Sequence, residues 1–245
     1  MSYFKIGLAS VTFREKTIEE IVELCKKAEI DCIEWGADVH VRTAEDAKKA
    51  KRLCDEAGIG ISSYGSYYRV GNGDESEWRS LCENARIMGA RSIRVWLGQK
   101  DSEATSDGEY EALLTDARSI CTIAEKYGLL VCPECHDYTF NNNTQAIIRF
   151  KNELSKANFR TYFQSRYFRK EYDLDRIDKT FDFTENIHVS YRDQKLEQAD
   201  KVPDEAYLDT LLEKYKTKHF TGAVILEFCE SEEEFFKDVL RLKSF

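Results

Sequence analysis

The chain has 245 residues, 42% hydrophobic and 33% charged, a balance that supports one sizeable core and excludes a disordered chain. A formal net charge of −9 excludes a broad nucleic-acid surface, which needs a basic face against phosphates, and no apolar run approaches the ~18 residues of a membrane span. The N-terminus MSYFKIGLAS has no basic stretch followed by an apolar one, so a cytoplasmic location with reduced cysteines is expected.

In chain order, short apolar runs alternate with longer amphipathic ones. KIGLA (5–9) is followed by TIEEIVELCKKAEI (17–30), and DCIEWG (31–36) by TAEDAKKAKRLCDEAG (43–58). IGISSYG (59–65) precedes ESEWRSLCENARIMGA (75–90), and RSIRVWLG (91–98) precedes EYEALLTDARSICTIAEKYG (109–128). LLVCPE (129–134) leads to NNTQAIIRFKNELSKA (142–157), and FRTYFQ (159–164) to DLDRIDKTFDF (173–183). NIHVSY (186–191) leads to DEAYLDTLLEKYKT (204–217), and GAVILEF (222–228) to SEEEFFKDVLRLKSF (231–245).

The longer runs carry helical apolar spacing, as in Ile18, Ile21, Val22 and Cys25. Thr17 with Glu20, and Ser231 with Glu234, have capping-box spacing. Gly58, Gly89 and Gly128 stand where helices should stop. Cys25, Cys54, Cys82 and Cys121 fall among the apolar helix positions and read as small buried hydrophobes. The shorter runs are nearly continuous in apolar residues, as parallel strands covered on both faces are. Eight strand-then-helix units predict an α/β fold, a (β/α)8 TIM barrel, as a single domain over residues 1–245. A doubly wound sheet would carry a glycine-rich first turn, and LASVTFREK has no glycine.

The stretch VCPECH (131–136) has two readings, a cysteine site or a glutamate–histidine site. If the strand continues this far, alternation puts Cys132, Glu134 and His136 on one face and Cys135 on the other. Two cysteines pointing apart do not converge on a metal, and no second CxxC completes a zinc site. Other strand ends repeat the polar chemistry. Glu34 ends the second run, Gln164 the sixth and Glu227 the eighth, while His188 and Ser190 lie in the seventh. A charged group set in an apolar strand is costly unless paired or bound to metal. At a barrel's C-terminal mouth these groups would meet. Oxygen and nitrogen donors without thiolate suit Mn, Mg or Co better than Zn.

The segments IEWGADVHV (33–41), SSYGSYYRVG (62–71), SIRVWLG (92–98), PECHDYTFNN (133–142), YFQ (162–164), NIHVSYRD (186–193) and AVILEF (223–228), in this order, resemble the xylose isomerase-like TIM barrels. That group includes sugar-phosphate isomerases and epimerases, dehydratases and a DNA-repair nuclease type. The resemblance implies one divalent metal held by Glu134, Gln164, His188 and Glu227. Gln164 stands where aspartate is usual, and an alternative alignment puts Ser190 in the place of His188.

The resemblance further implies proton transfer next to a carbonyl through a metal-stabilised enediolate, with Glu134 and Glu227 on opposite sides of the reacting carbon. His136, Glu34, Trp35, His40 and Ser190 would contact a small sugar or sugar phosphate. Arg166, in the basic stretch SRYFRKEY, would receive a phosphate or carboxylate, with Arg169 and Lys170 beside it and Arg69 a weaker candidate. The resemblance allows a homodimer. A barrel that binds sugar without turnover, or a dehydratase of the same group, stand as alternatives. The nuclease needs more ligands than four histidines allow.

Overall fold

Local side-chain chemistry sets the helix starts. Thr17 Oγ1 accepts from Glu20 N at 3.2 Å and Glu20 Oε2 accepts from Thr17 N at 2.7 Å, closing the expected box. Thr43 with Asp46 and Ser106 with Glu109 build the same box. Ser231 builds only half of it: its hydroxyl accepts from Glu234 N, but the Glu234 carboxylate accepts from Glu230 N instead. Gly58 and Gly89 end their helices with φ of 70° and 72°, a region that glycine occupies at no steric cost.

The computed structural model describes residues 2–71, 73–165, 169–191 and 205–245. Its elements are β1 (Lys5–Ala9), α1 (Ile18–Ala28), β2 (Cys32–Gly36), α2 (Ala44–Ala57), β3 (Gly60–Val70), α3 (Glu75–Met88), β4 (Ser92–Leu97) and α4 (Asp107–Lys126). They continue as β5 (Leu130–Pro133), α5 (Thr144–Leu154), β6 (Thr161–Gln164), α6 (Lys170–Thr180), β7 (Thr184–Val189), α7 (Glu205–Thr217), β8 (Ala223–Leu226) and α8 (Glu232–Lys243). All pairings are parallel, in the order β5-β4-β3-β2-β1-β8-β7-β6. A parallel bridge between Val131 and Phe159 joins the two ends of that order, with Val131 N donating to Asn158 O at 2.9 Å. The result is the expected (β/α)8 barrel.

Most boundaries move by one to three residues, and two differ more in kind. β3 runs on to Val70, because Arg69 and Val70 find partners in Trp96 and Leu97 of β4. The predicted helix over 173–183 starts earlier and ends in a 3-10 turn at Phe181–Phe183. Among the described residues no helix is long and apolar enough to cross a membrane.

Most apolar side chains lie in one cluster between the strand ring and the helices, with Ile33, Trp35, Trp78, Ile93 and Phe150 among its members. A second, small cluster holds Ala9, Cys32, Cys132, Tyr162, Ala223 and Ile225. Strand alternation identifies it as the barrel's inner filling. This filling is the floor on which a polar layer rests. Cys32, Cys132, Tyr162 and Ile225 each lie two residues before Glu34, Glu134, Gln164 and Glu227. The inward face therefore changes from apolar to polar at one level, toward the C-terminal ends of the strands.

Candidate active site

The polar layer over that filling is built from five buried side chains, each at most 5% exposed: Glu34, Arg94, Glu134, His188 and Glu227. Arg94 sits between two glutamates. Its Nε donates to Glu34 Oε1 at 2.9 Å and its Nη1 to Glu134 Oε2. Trp96 Nε1 donates to the same Glu134 oxygen at 2.9 Å. Ser63 Oγ donates to Glu34 Oε2. His188 places Nδ1 3.2 Å from Glu134 Oε1 and 3.2 Å from Glu227 Oε1, and Nε2 3.3 Å from Glu34 Oε1. Gly65 makes room for the guanidinium: a Cβ there would lie 3.0 Å from Arg94 Nη2 and 3.2 Å from Glu34 Oε1.

Burial alone would raise the Glu34 carboxyl, but His188 and Arg94 outweigh it and hold it at about 2. Burial likewise opposes the Glu134 charge, and Arg94 and His188 pull that carboxyl well below the ordinary range. The His188 imidazole is desolvated too, yet Glu227 and Glu34 raise it well above its usual value. Burial disfavours the Arg94 charge, while Glu134, Glu34 and Glu227 raise it further.

These directions give a stability prediction for the metal-free protein. The Glu34 carboxyl is lower folded than its ordinary 4.5, so its contribution is complete above that value and is lost as pH falls toward about 2. Between about pH 5 and about pH 3 the loss from Glu34 is roughly 2 kcal/mol. Urea midpoints across that range should fall for the wild type and fall less for Glu34→Gln. Equal slopes would contradict the assignment.

Gln164 closes the layer on the β6 side, paired in register with His188. Its Nε2 is 3.4 Å from Glu227 Oε2. Turned over about its last bond, the amide donates to Glu134 Oε1 at 3.2 Å and to the Cys135 carbonyl at 3.1 Å, which brings its oxygen to the side of Glu227. Two oxygens that face each other call for a proton or a cation between them.

The donor set fits a divalent ion. One ligand atom each from Glu34, His188 and Glu227 lie within 4.8 Å of one another. With His188 neutral, the three carboxylates of the layer against one guanidinium leave two negative charges, which one divalent ion balances. The sequence reading grouped Glu134 and Gln164 with His188 and Glu227. The structure adds Glu34 to His188 and Glu227, and holds Glu134 on Arg94 and Trp96. Arg94 went unnamed as a site residue, although a charged side chain within the apolar run SIRVWLG carries the same signal as Glu227 in AVILEF.

The other expected residues are dispersed. Trp35 is fully buried in the outer core, on the opposite face from Glu34, so it packs and does not line the mouth. His40 is also a packing residue: Nδ1 pairs with Ser10 Oγ at 2.9 Å and Nε2 with Lys16 O at 3.0 Å. His136 lies at the rim, its ring stacked on Trp96 at 4.8 Å. The Arg69 guanidinium covers the same Trp96 ring, 4.1 Å from its centroid. Ser190 follows β7 and lines a hollow of about 20 Å³ with Gln164, His188 and Phe228. Arg169 and Lys170 stand at the start of α6, and Arg166 lies outside the described residues. A larger hollow of about 690 Å³ opens at the starts of the strands, beside Lys5, Arg91 and Gly222. That is the end of a barrel that serves stability.

The two cysteines of VCPECH are separated, but not by alternation: β5 ends at Pro133, and Cys135 lies beyond the strand. Cys132 is in the inner filling, where burial holds its thiol well above the ordinary value. Cys135 is buried elsewhere and accepts from Arg176 Nη1 at 2.8 Å. Replacing both by alanine should lower stability by about 1–3 kcal/mol, since it leaves the buried Arg176 without that acceptor. The replacement should leave turnover within about threefold, since neither sulfur belongs to the polar layer. Normal folding with complete loss of turnover would restore the cysteine reading.

A family profile described as xylose isomerase-like TIM barrel matches residues 22–245. Solved structures agree over nine-tenths of the chain or more. The probable 3-DHS dehydratase AsbF from Bacillus anthracis superposes with a TM-score of 0.82 at 15% identity, covering 98% of this chain and 99% of that one. The 3-keto-D-glucoside 4-epimerase YcjR from E. coli gives 0.77 at 16% identity, covering 99% and 100%. D-Psicose 3-epimerase from Clostridium cellulolyticum H10, solved with D-tagatose, gives 0.70 at 16%, covering 91% and 84%. At such identities the likeness shows the fold. No curated protein matches.

Proposed function

The chain belongs to the xylose isomerase-like TIM barrel family, and on that footing we propose that it is a metal-assisted isomerase or epimerase of a small sugar or sugar phosphate, acting by proton transfer next to a carbonyl. The observation that carries this reading is the buried Glu34–His188–Glu227 convergence at the C-terminal mouth. Glu34, His188 and Glu227 would hold the ion, and a bound divalent ion would supply Lewis-acid stabilisation of negative charge on a substrate oxygen. Glu227 would move the proton. It is the one glutamate of the layer that pairs with no lysine or arginine among the described residues. Glu134, expected as the second proton carrier, has Oε2 engaged by Arg94 and Trp96 and Oε1 beside His188.

The test is deuterium uptake. Protein loaded with Mn²⁺ is incubated in D₂O with a panel of ketoses and their phosphates, and carbon-bound deuterium is read by NMR. Uptake next to the carbonyl of at least one substrate, abolished by EDTA, is expected. Sugar binding without uptake would select a non-catalytic binder.

A dehydratase is the second reading, favoured by the layer having a single glutamate that no arginine engages among the described residues. It shares the first proton abstraction and then expels a β-hydroxyl. Release of an unsaturated carbonyl product, seen by its ultraviolet absorbance, separates the two.

A further inference from the structure

His188 offers an ion two sides. Nδ1 faces Glu134 Oε1 and Glu227 Oε1, each at 3.2 Å, and Nε2 faces Glu34 Oε1 at 3.3 Å. An imidazole that ligates through one nitrogen almost always donates the N–H of the other to a carboxylate or carbonyl, which fixes its tautomer and ring angle. Glu134 is built for that second task. Arg94 and Trp96 both donate to its Oε2, so the carboxylate is held from two directions and only Oε1 turns to the imidazole. Arg94 is itself anchored by Glu34, and Glu34, Arg94 and Glu134 are all buried. Of the two carboxylates at Nδ1, Glu227 pairs with no lysine or arginine among the described residues, and it, not Glu134, groups with Glu34 and His188 within 4.8 Å.

We propose that the ion of this chain is held by Nε2 of His188 together with Glu34 and Glu227, and that Glu134 is a positioning residue whose carboxylate accepts the Nδ1–H. The family resemblance would instead make Glu134 a ligand. In this chain β2 supplies the extra carboxylate, and the guanidinium of Arg94 keeps Glu134 off the ion. The inference rests on the metal-assisted reading.

The deciding experiment reads the nitrogen directly. Metal-stripped protein labelled with ¹⁵N-histidine is loaded with Zn²⁺, and long-range ¹H–¹⁵N correlations are recorded. Four histidines make the His188 pattern assignable against His188→Gln. The expected result is a protonated Nδ1 and a metal-bound Nε2. A metal-bound Nδ1 overturns the proposal.

Co²⁺ absorption gives an independent measure. Glu34→Gln should change the visible d–d bands. Glu134→Gln should leave the bands in place while weakening Co²⁺ binding about 10–100-fold, as loss of an orienting carboxylate does. Altered bands in Glu134→Gln would make it a ligand and overturn the proposal. If Glu34→Gln fails to fold, the wild-type nitrogen spectrum still decides. Failure of the wild type to bind either ion overturns both this inference and the metal-assisted reading. Binding through Nδ1 overturns this one alone.

Discussion

Glu227→Gln is expected to lower deuterium uptake by about 10²–10⁴-fold, the usual contribution of a positioned proton carrier. The fold should be unaffected. Glu227 follows β8 with its backbone N–H on Val189 O at 2.9 Å, and that bond does not depend on the side chain. Glutamine fills the same volume, so packing at this 5% exposed position is kept. The substitution also removes the carboxylate that does most to favour the charged His188 imidazole in the metal-free protein. Urea midpoints in EDTA should therefore fall slightly, with the transition still cooperative. Uptake is to be compared at saturating Mn²⁺, so that weaker ion binding is not mistaken for loss of proton transfer. Uptake within threefold of wild type would remove Glu227 from the chemistry.

Much of this arrangement is legible in the sequence because it comes from periodicity. The eight alternations of apolar run and amphipathic helix dictate the barrel, and the closing of the ring brings the run ends together whatever their separation in the chain. Glu34, Glu134, His188 and Glu227 stand out because a charged or polar group in an apolar strand needs a partner.

What the sequence hides is which partner. Glu134 and Arg94 are 40 residues apart, and only the register that pairs Arg94 with Cys132 puts them side by side. The same alternation that selects Glu34 places Trp35 on the outer face, where it packs against helices. His40 lies in a loop, where periodicity gives no direction. Its partners Ser10 and Lys16 come from the connection after β1. The choice between His188 and Ser190 turns on where β7 ends. The strand stops at Val189, leaving His188 inside the layer and Ser190 beyond it.

Arg94→Leu is expected to be the most destabilising single change in the polar layer, costing about 3–5 kcal/mol in the metal-free protein. The guanidinium is 3% exposed and ties β2 to β5 through Glu34 and Glu134. Its removal strands two buried carboxylates, leaving His188 as the one cation among the described residues to balance them and Glu227. Arg94→Lys should recover part of the loss, because one ammonium keeps the charge but cannot direct separate N–H groups at two carboxylates. A double-mutant cycle with Glu134→Gln isolates the pair, and a coupling of about 0.5–3 kcal/mol is expected. Urea unfolding in EDTA measures each corner of the cycle. Saturating Mn²⁺ should then restore part of the stability of Arg94→Leu, since an ion bound to the folded state offsets the stranded charge. If Arg94→Leu unfolds at the wild-type midpoint, the guanidinium is not what holds Glu34 and Glu134 in place, and the placement of the ion beside Nε2 of His188 loses its support.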